Sequence, residues 1–373
     1  MERNIMQASE TPEVAKDEWN IAEIKCKISN HILYFDVLTI LASFAVVAMH
    51  VNSAYWSYRD APSWVLNLII EKTCVWAVPV FFMLTGATLI DYRKRHSTSE
   101  YVKRRVQRTV VPFLIWSFVG LFFSLFYTKS TPLGLSINNY LNLIINTSIP
   151  EVNVYWFFVP LFTIYLCIPV ISLIPENKRA KGFIWLVVYT LVMDVLSQVL
   201  PIVGLEVNSN LYNPMCAGWL IFPLLGYLVA KTDFSLKRRI IIYCAAFCGW
   251  LLMFVGTWIK SVQSHALVHS FSSGTGLPST ALAVGVFVFI KNLCEKYSDI
   301  CMRLRNKIIF LSSTTFGLYL IHRYVLTIII RWTHIEVTSW WWPVVGIPII
   351  YIVTILIVFF IPENSAAKKM YLN

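Results

Sequence analysis

The chain of 373 residues is 57% hydrophobic and only 14% charged, with a net charge of +11 and a mean hydropathy of +0.63. This apolarity excludes an ordinary soluble domain. In so apolar a chain the positive charge points to basic cytoplasmic loops and away from nucleic acid as a partner.

Residues 1–31 are polar and mixed in charge and lack the basic, apolar and cleavage-site order of a signal peptide. They are expected to form a cytoplasmic tail ahead of an uncleaved first membrane helix. A transmembrane helix needs about 20 largely apolar residues, and ten windows qualify: 32–55, 64–90, 110–128, 155–175, 183–201, 213–230, 240–259, 277–294, 308–330 and 340–361. The predicted fold class is therefore all-α, a polytopic protein of about ten transmembrane helices. Its membrane domain spans 32–362, with a second cytoplasmic tail at 363–373. The second window is long and predicts a tilt or a break at Pro79. Several spans carry proline, which a membrane helix tolerates when its neighbours satisfy the freed backbone groups.

Orientation follows the basic residues. With the N-terminus inside, the inner segments hold 25 of the 31 Lys and Arg residues. The outer segments hold Arg59, Lys72, Lys129, Lys260, Arg323 and Arg331. Both termini are therefore expected on the cytoplasmic side, and no internal repeat of the kind that builds many transporters is evident. The cysteines, Cys26, Cys74, Cys167, Cys216, Cys244, Cys248, Cys294 and Cys301, show no ligand spacing. They read as small core residues, and no metal site is expected.

The first span, FDVLTILASFAVVAMHVN from Phe35 to Asn52, opens on Asp36 and closes on His50. Fourteen residues at 3.6 per turn leave the two roughly 40° apart around the axis, so one face carries both. An ionisable group inside a membrane is costly and marks a functional candidate, although a helix cap at Asp36 and an interfacial imidazole at His50 fit the same spacing. The ninth span adds His322 within FGLYLIHRY at a similar expected depth. A neutral imidazole beside a second histidine is suited to general-base work near physiological pH. The basic run KRRVQRTVVPFLIW, from Lys103 to Trp116, leads straight into the third span. It reads either as a topological anchor or as a grip in which some of Lys103, Arg104, Arg105 and Arg108 hold an anionic ligand such as a phosphate. No GxSxG elbow, HExxH, Walker loop or GxGxxG is present, which weighs against a hydrolase, a zinc protease or a nucleotide-driven pump.

Five stretches, in order, resemble the acyltransferase-3 family of multipass bacterial enzymes that O-acylate cell-surface sugars. YFDVLTILASFAVVAMH is similar to that family's first-helix motif and VPVFFMLTGATLI to its phenylalanine-rich, small-hydroxyl, glycine segment. KRRVQRTVVPFLIWSF resembles its Arg-x-x-Arg-x-x-x-Pro run, YWFFVPLFTIYLCIPVI its Trp-Phe helix and FGLYLIH its late histidine motif. The resemblance implies an acyl-CoA donor at the cytoplasmic face, acetyl-CoA foremost, as co-substrate with no permanently bound cofactor. The implied acceptor is a hydroxyl of a cell-surface polysaccharide, teichoic-type polymer or lipid-linked sugar. It implies a multi-pass protein of the plasma or inner membrane, embedded in its lipid bilayer. His50 would be the base, with His322 and Asp36 in the catalytic group and Arg104, Arg105 and Arg108 near the CoA phosphates. The same motifs offer Thr85, Trp156 and Tyr319 on the substrate side.

One departure stands out. The family's first helix usually carries an arginine eleven residues before the histidine, and here that position is Thr39. Eleven residues return to the same face within about 20° after a rise of about 16 Å, so the face is kept and the charge is lost. This keeps a second reading open, in which the chain is a glycan or acyl transporter or a catalytically degenerate paralogue. Arg323 follows His322 where proline is common, a milder change.

Overall fold

The computed structural model describes residues 32–200, 204–205 and 218–360. The expected tails, the first residues of the sixth window, Cys26 and Cys216 lie wholly or largely outside the described residues. Every regular element described is helical, and no strand occurs among the described residues. In chain order the helices are α1 (Leu33–Val51), α2 (Pro62–Cys74), α3 (Ala77–Leu89), α4 (Thr98–Thr128), α5 (Ile137–Ile145), α6 (Pro150–Ile171) and α7 (Glu176–Val199). There follow α8 (Gly218–Ala230), α9 (Leu236–Ser264), α10 (Leu277–Lys296), α11 (Ser298–Arg303), α12 (Arg305–Thr333) and α13 (Trp341–Phe360). Counting α2 and α3 as one span, nine segments among the described residues are long and apolar enough to cross a membrane. The shorter apolar α8 falls in the sixth expected window. Large apolar side chains such as Phe122, Leu166 and Trp185 stand exposed on the outside of the bundle. On a soluble protein such a surface would be an aggregation liability, and on a membrane protein it is the lipid contact. The chain is an all-α polytopic membrane protein.

Helix ends differ from the apolar windows because helix continues past lipid depth into polar sequence. The third span begins at Thr98, twelve residues before its window, so the basic cluster is helical and not a loop. The expected break in the second span is real but falls at Val75 and Trp76, between α2 and α3. A proline ring presses on the carbonyl four residues earlier, which for Pro79 is that of Val75.

α1 lies at the centre, packed against α2, α3, α10, α12 and α13. α3 and α8 approach until their backbones touch. A Cβ on Gly86 would sit 1.9 Å from the Pro223 carbonyl oxygen, and one on Gly226 would sit 1.9 Å from that of Met83. Close crossings of this sort through small residues replace the hydrophobic drive that helices lack in lipid. α9 and α10 use the same device, with Gly249 against Pro278 and Gly285 against Ala246. At one end of the bundle an ion cluster ties the tails of α3 and α8 to the head of α7. Asp91 pairs with Arg179 and, at 2.5 Å, with Lys231; Glu176 receives Lys231 at 2.9 Å and Lys94 at 2.6 Å. Burial disfavours the Lys231 charge, but Asp91, Tyr227 and Glu176 outweigh it and hold the ammonium above its ordinary pKa. The six described cysteines are all free thiols.

Candidate active site

A cavity of about 700 Å³ lies against α1, bounded by residues of α2, α3, α4, α6, α8 and α12. Thr39 and His50 both line it, so it follows α1 for about 16 Å. By the run of their helices, Arg105, Arg108 and Thr315 fall toward the Thr39 end, and Glu71, Trp56 and Gly274 toward the His50 end. We call these the arginine end and the histidine end.

The arginine end owes its shape to Pro112. Its missing N–H and its ring free the carbonyl four residues back, which is that of Arg108, and the helix widens there into a π-helical turn over Val106–Val110. Single π turns of this kind often mark functional sites. The wider turn carries Arg108 and follows directly on Arg105, and both line the cavity. The Arg105 guanidinium lies 5.6 Å from the centre of the Tyr165 ring, and its buried Nε has no hydrogen-bond partner. Among the described residues neither arginine has a carboxylate partner, whereas Arg104 is bound to Glu100 at 2.6 Å and lies outside the lining. Of the three arginines read from the sequence, two face the cavity uncompensated and one is neutralised. The Thr39 hydroxyl donates to its own helix at the Phe35 carbonyl, 2.8 Å away.

At the histidine end His50 and His322 meet. Nε2 of His322 is 3.2 Å from Nδ1 of His50, and Nδ1 of His322 is 2.7 Å from the Tyr319 carbonyl oxygen. A carbonyl only accepts, so Nδ1 of His322 carries the proton and its Nε2 is the acceptor. Nδ1 of His50 must then donate, which leaves the lone pair of His50 on Nε2. His50 lines the cavity while His322, fully buried, backs it without lining it. This is the relation of a base to the group that fixes its tautomer.

The position of His322 is set by a row of cross-helix bonds from α6. The Tyr155 hydroxyl donates to the Leu320 carbonyl at 2.7 Å, Tyr319 donates back to that of Val154 at 2.6 Å, and Nε of Arg323 donates to that of Glu151 at 3.2 Å. Arg323 therefore serves as a staple beside the histidine.

Thr85, Trp156 and Tyr319 all line the cavity, as the motifs suggested. The hydroxyls of Thr85 and Tyr319 are bonded to backbone carbonyls, so both present mainly their surfaces. The Trp156 and Trp219 rings lie 5.4 Å apart on the cavity wall. Asp36 is not brought to the histidines. It is buried in the first turn of α1, roughly 21 Å from His50 along the helix, and does not line the cavity.

Sequence reading missed Glu71. Asn52 donates to the Asn67 carbonyl at 2.8 Å, which sets α2 against the end of α1. Glu71 stands one turn further along α2, about 6 Å from that level, and His50 about 3 Å from it. The two groups thus lie within about 3 Å of each other in depth along one cavity. The neighbouring Lys72, fully buried, turns instead to the Tyr55 hydroxyl at 3.1 Å, which lies 3.3 Å from Nδ1 of His269. Burial and the nearby Lys72 charge hold His269 below the ordinary imidazole pKa.

Nine span-length segments and the shorter α8 thus enclose a cavity with a pair of histidines toward one end and, toward the other, two arginines that have no carboxylate partner among the described residues. A family model described as an acyltransferase domain matches residues 32–361. The chain belongs to the acyltransferase-3 family and is a multi-pass membrane acyltransferase. No curated protein and no solved structure matches the chain significantly.

Proposed function

We propose that the chain is an O-acyltransferase of the plasma or inner membrane that moves an acyl group, an acetyl group foremost, from acyl-CoA to a hydroxyl of a cell-surface or lipid-linked glycan. The arginine end faces the cytoplasm in this reading, and both termini lie on that side. Arg105 and Arg108 hold the CoA phosphates, and the acyl-pantetheine arm extends up the cavity toward His50. The acceptor hydroxyl oxygen attacks the thioester carbonyl, and its proton passes to Nε2 of His50. The C–S bond breaks as the ester C–O bond forms, and the thiolate takes the proton back from His50 as CoA leaves. No serine nucleophile is required, and His322 stabilises the charged His50 only through the shared Nδ1 proton.

The single observation that supports this reading is the one cavity with uncompensated arginines at one end and a base of fixed tautomer at the other. Thr39 favours a second reading, a transporter or inactive paralogue, since the usual first-helix cation is missing. Membranes carrying the protein, supplied with labelled acetyl-CoA and surface glycan of the source cells, separate the two. Esterified glycan with released CoA supports the transferase. Glycan movement with neither overturns it.

A further inference from the structure

The charged groups that line the cavity are segregated. Its cations, Arg105 and Arg108, belong to the arginine end, and no Lys or Arg among the described residues lines the histidine end. There the one ionisable group besides His50 is Glu71, largely buried, with Oε2 shielded from solvent and without a hydrogen-bond partner. A buried carboxyl oxygen left unmatched is costly. The neighbouring Lys72 acts on this carboxyl electrostatically but gives its ammonium to the Tyr55 hydroxyl, 3.1 Å away. The Asn52 side chain, on the other side, interacts with the same carboxyl. Trp56, Trp156 and Trp219 line the same cavity, and the backbone of Gly274 runs so close to Trp219 that a Cβ there would meet the ring at 2.6 Å.

We propose that Glu71 binds the acceptor, taking a hydrogen bond from a sugar hydroxyl beside the one that is acylated, and that it restricts the acceptor to uncharged glycan. This rests on the acyltransferase reading above and names the substrate class for its histidine end. Tryptophan faces pack against the apolar CH face of a pyranose ring, and a carboxyl group receives its hydroxyls. A phosphate or carboxylate on the acceptor would be repelled by Glu71, and no Lys or Arg among the described residues lines that end of the cavity to receive it. The donor and acceptor ends thus select opposite charge character: polyanionic for acyl-CoA, neutral for the glycan. Because Glu71 lies within about 3 Å of His50 in depth, a hydroxyl held by one can be a ring neighbour of the hydroxyl deprotonated by the other.

The test uses the full-length protein in proteoliposomes with labelled acetyl-CoA. Source-cell surface glycan is divided by anion exchange into uncharged and anionic fractions. Wild type should label the uncharged fraction. Glu71→Gln should raise the KM for that fraction at least tenfold while the KM for acetyl-CoA keeps its wild-type value. Label confined to the anionic fraction overturns the proposal, as does an unchanged glycan KM in Glu71→Gln. If Glu71 served only as a counter-charge for Lys72, Glu71→Gln would lower Tm, Lys72→Met would restore it in the double variant, and the glycan KM would not move, which also overturns the proposal. A wild type that labels neither fraction, while acetyl-CoA stays intact, removes the acyltransferase reading itself and this inference with it.

Discussion

At the scale of single residues the site turns on one proton. Nδ1 of His50 is committed to His322, so only Nε2 can accept from a hydroxyl. His50→Gln keeps a polar side chain but loses the base, and general-base assistance is typically worth about 10² to 10⁴ in rate. Turnover should fall by that order with expression and insertion intact. Retention of most wild-type kcat would move the base elsewhere. His322→Phe keeps a ring at that place and removes the acceptor for the His50 proton; kcat should fall while the KM for acyl-CoA stays put. The two histidines were legible because an ionisable residue deep in an apolar helix is conspicuous. Glu71 was not, since it falls where the polar stretch EKTC interrupts the second window and looks like a snorkelling end. Only the Asn52 to Asn67 bond reveals its depth. Asp36 shares a helical face with His50 but lies roughly 21 Å from it along the axis and does not line the cavity, a separation that a shared face does not reveal.

Elements turn these residues into a site through their irregularities. The spacing Arg105, Arg108, Pro112 has a mechanical meaning, because the proline releases the carbonyl of Arg108 and opens the π turn. Arg105→Ala and Arg108→Ala should each raise the KM for acyl-CoA more than they lower kcat, as expected for binding felt equally in ground and transition states. Pro112→Ala should act in the same direction with every charge still present, by letting the turn close to ordinary α-helix and rotating Arg105 and Arg108 off the cavity. A Pro112→Ala enzyme with wild-type donor KM would show that the turn is incidental. The helix count was readable from hydropathy, and so was the trouble near Pro79. The π turn was not, because it lies in a sequence that reads as plain helix. The α3 and α8 crossing was hidden too, since Gly86 and Gly226 are far apart in the chain and either could have been a tolerated glycine. Their burial is strict: Gly86→Ala places a methyl group onto the Pro223 carbonyl. It should lower Tm in detergent by the equivalent of about 1 to 3 kcal/mol or more, whereas Gly182→Ala, with nothing within 4 Å, should not lower it.

At the scale of the whole molecule, the orientation we propose divides the basic residues 25 to 6, and the cluster of Asp91, Glu176, Arg179 and Lys231 ties helix ends together. That cluster gathers helix ends that the alternating path assigns to one face, the cytoplasmic one in our reading. A single cysteine at Asp233, in an otherwise cysteine-free chain, should be labelled by an impermeant maleimide only after the cytoplasmic face is opened; labelling of intact cells would overturn the orientation. Arg179 is almost wholly buried, and removing one member of a buried ion pair commonly costs about 3 to 5 kcal/mol. Arg179→Ala is therefore expected to unfold at a markedly lower temperature without a change in either KM.

That the arginine end and the histidine end belong to one cavity also fixes the order of events in time. In the reading proposed above, two reactants that enter at opposite ends do not compete for the same door, so neither has to depart before the other arrives. The initial-rate pattern should then be that of a ternary complex, with double-reciprocal lines for the two substrates that intersect. Parallel lines would mean that CoA leaves first and the acyl group waits on the protein, and His50 would then be a nucleophile carrying an acyl group instead of a base carrying a proton.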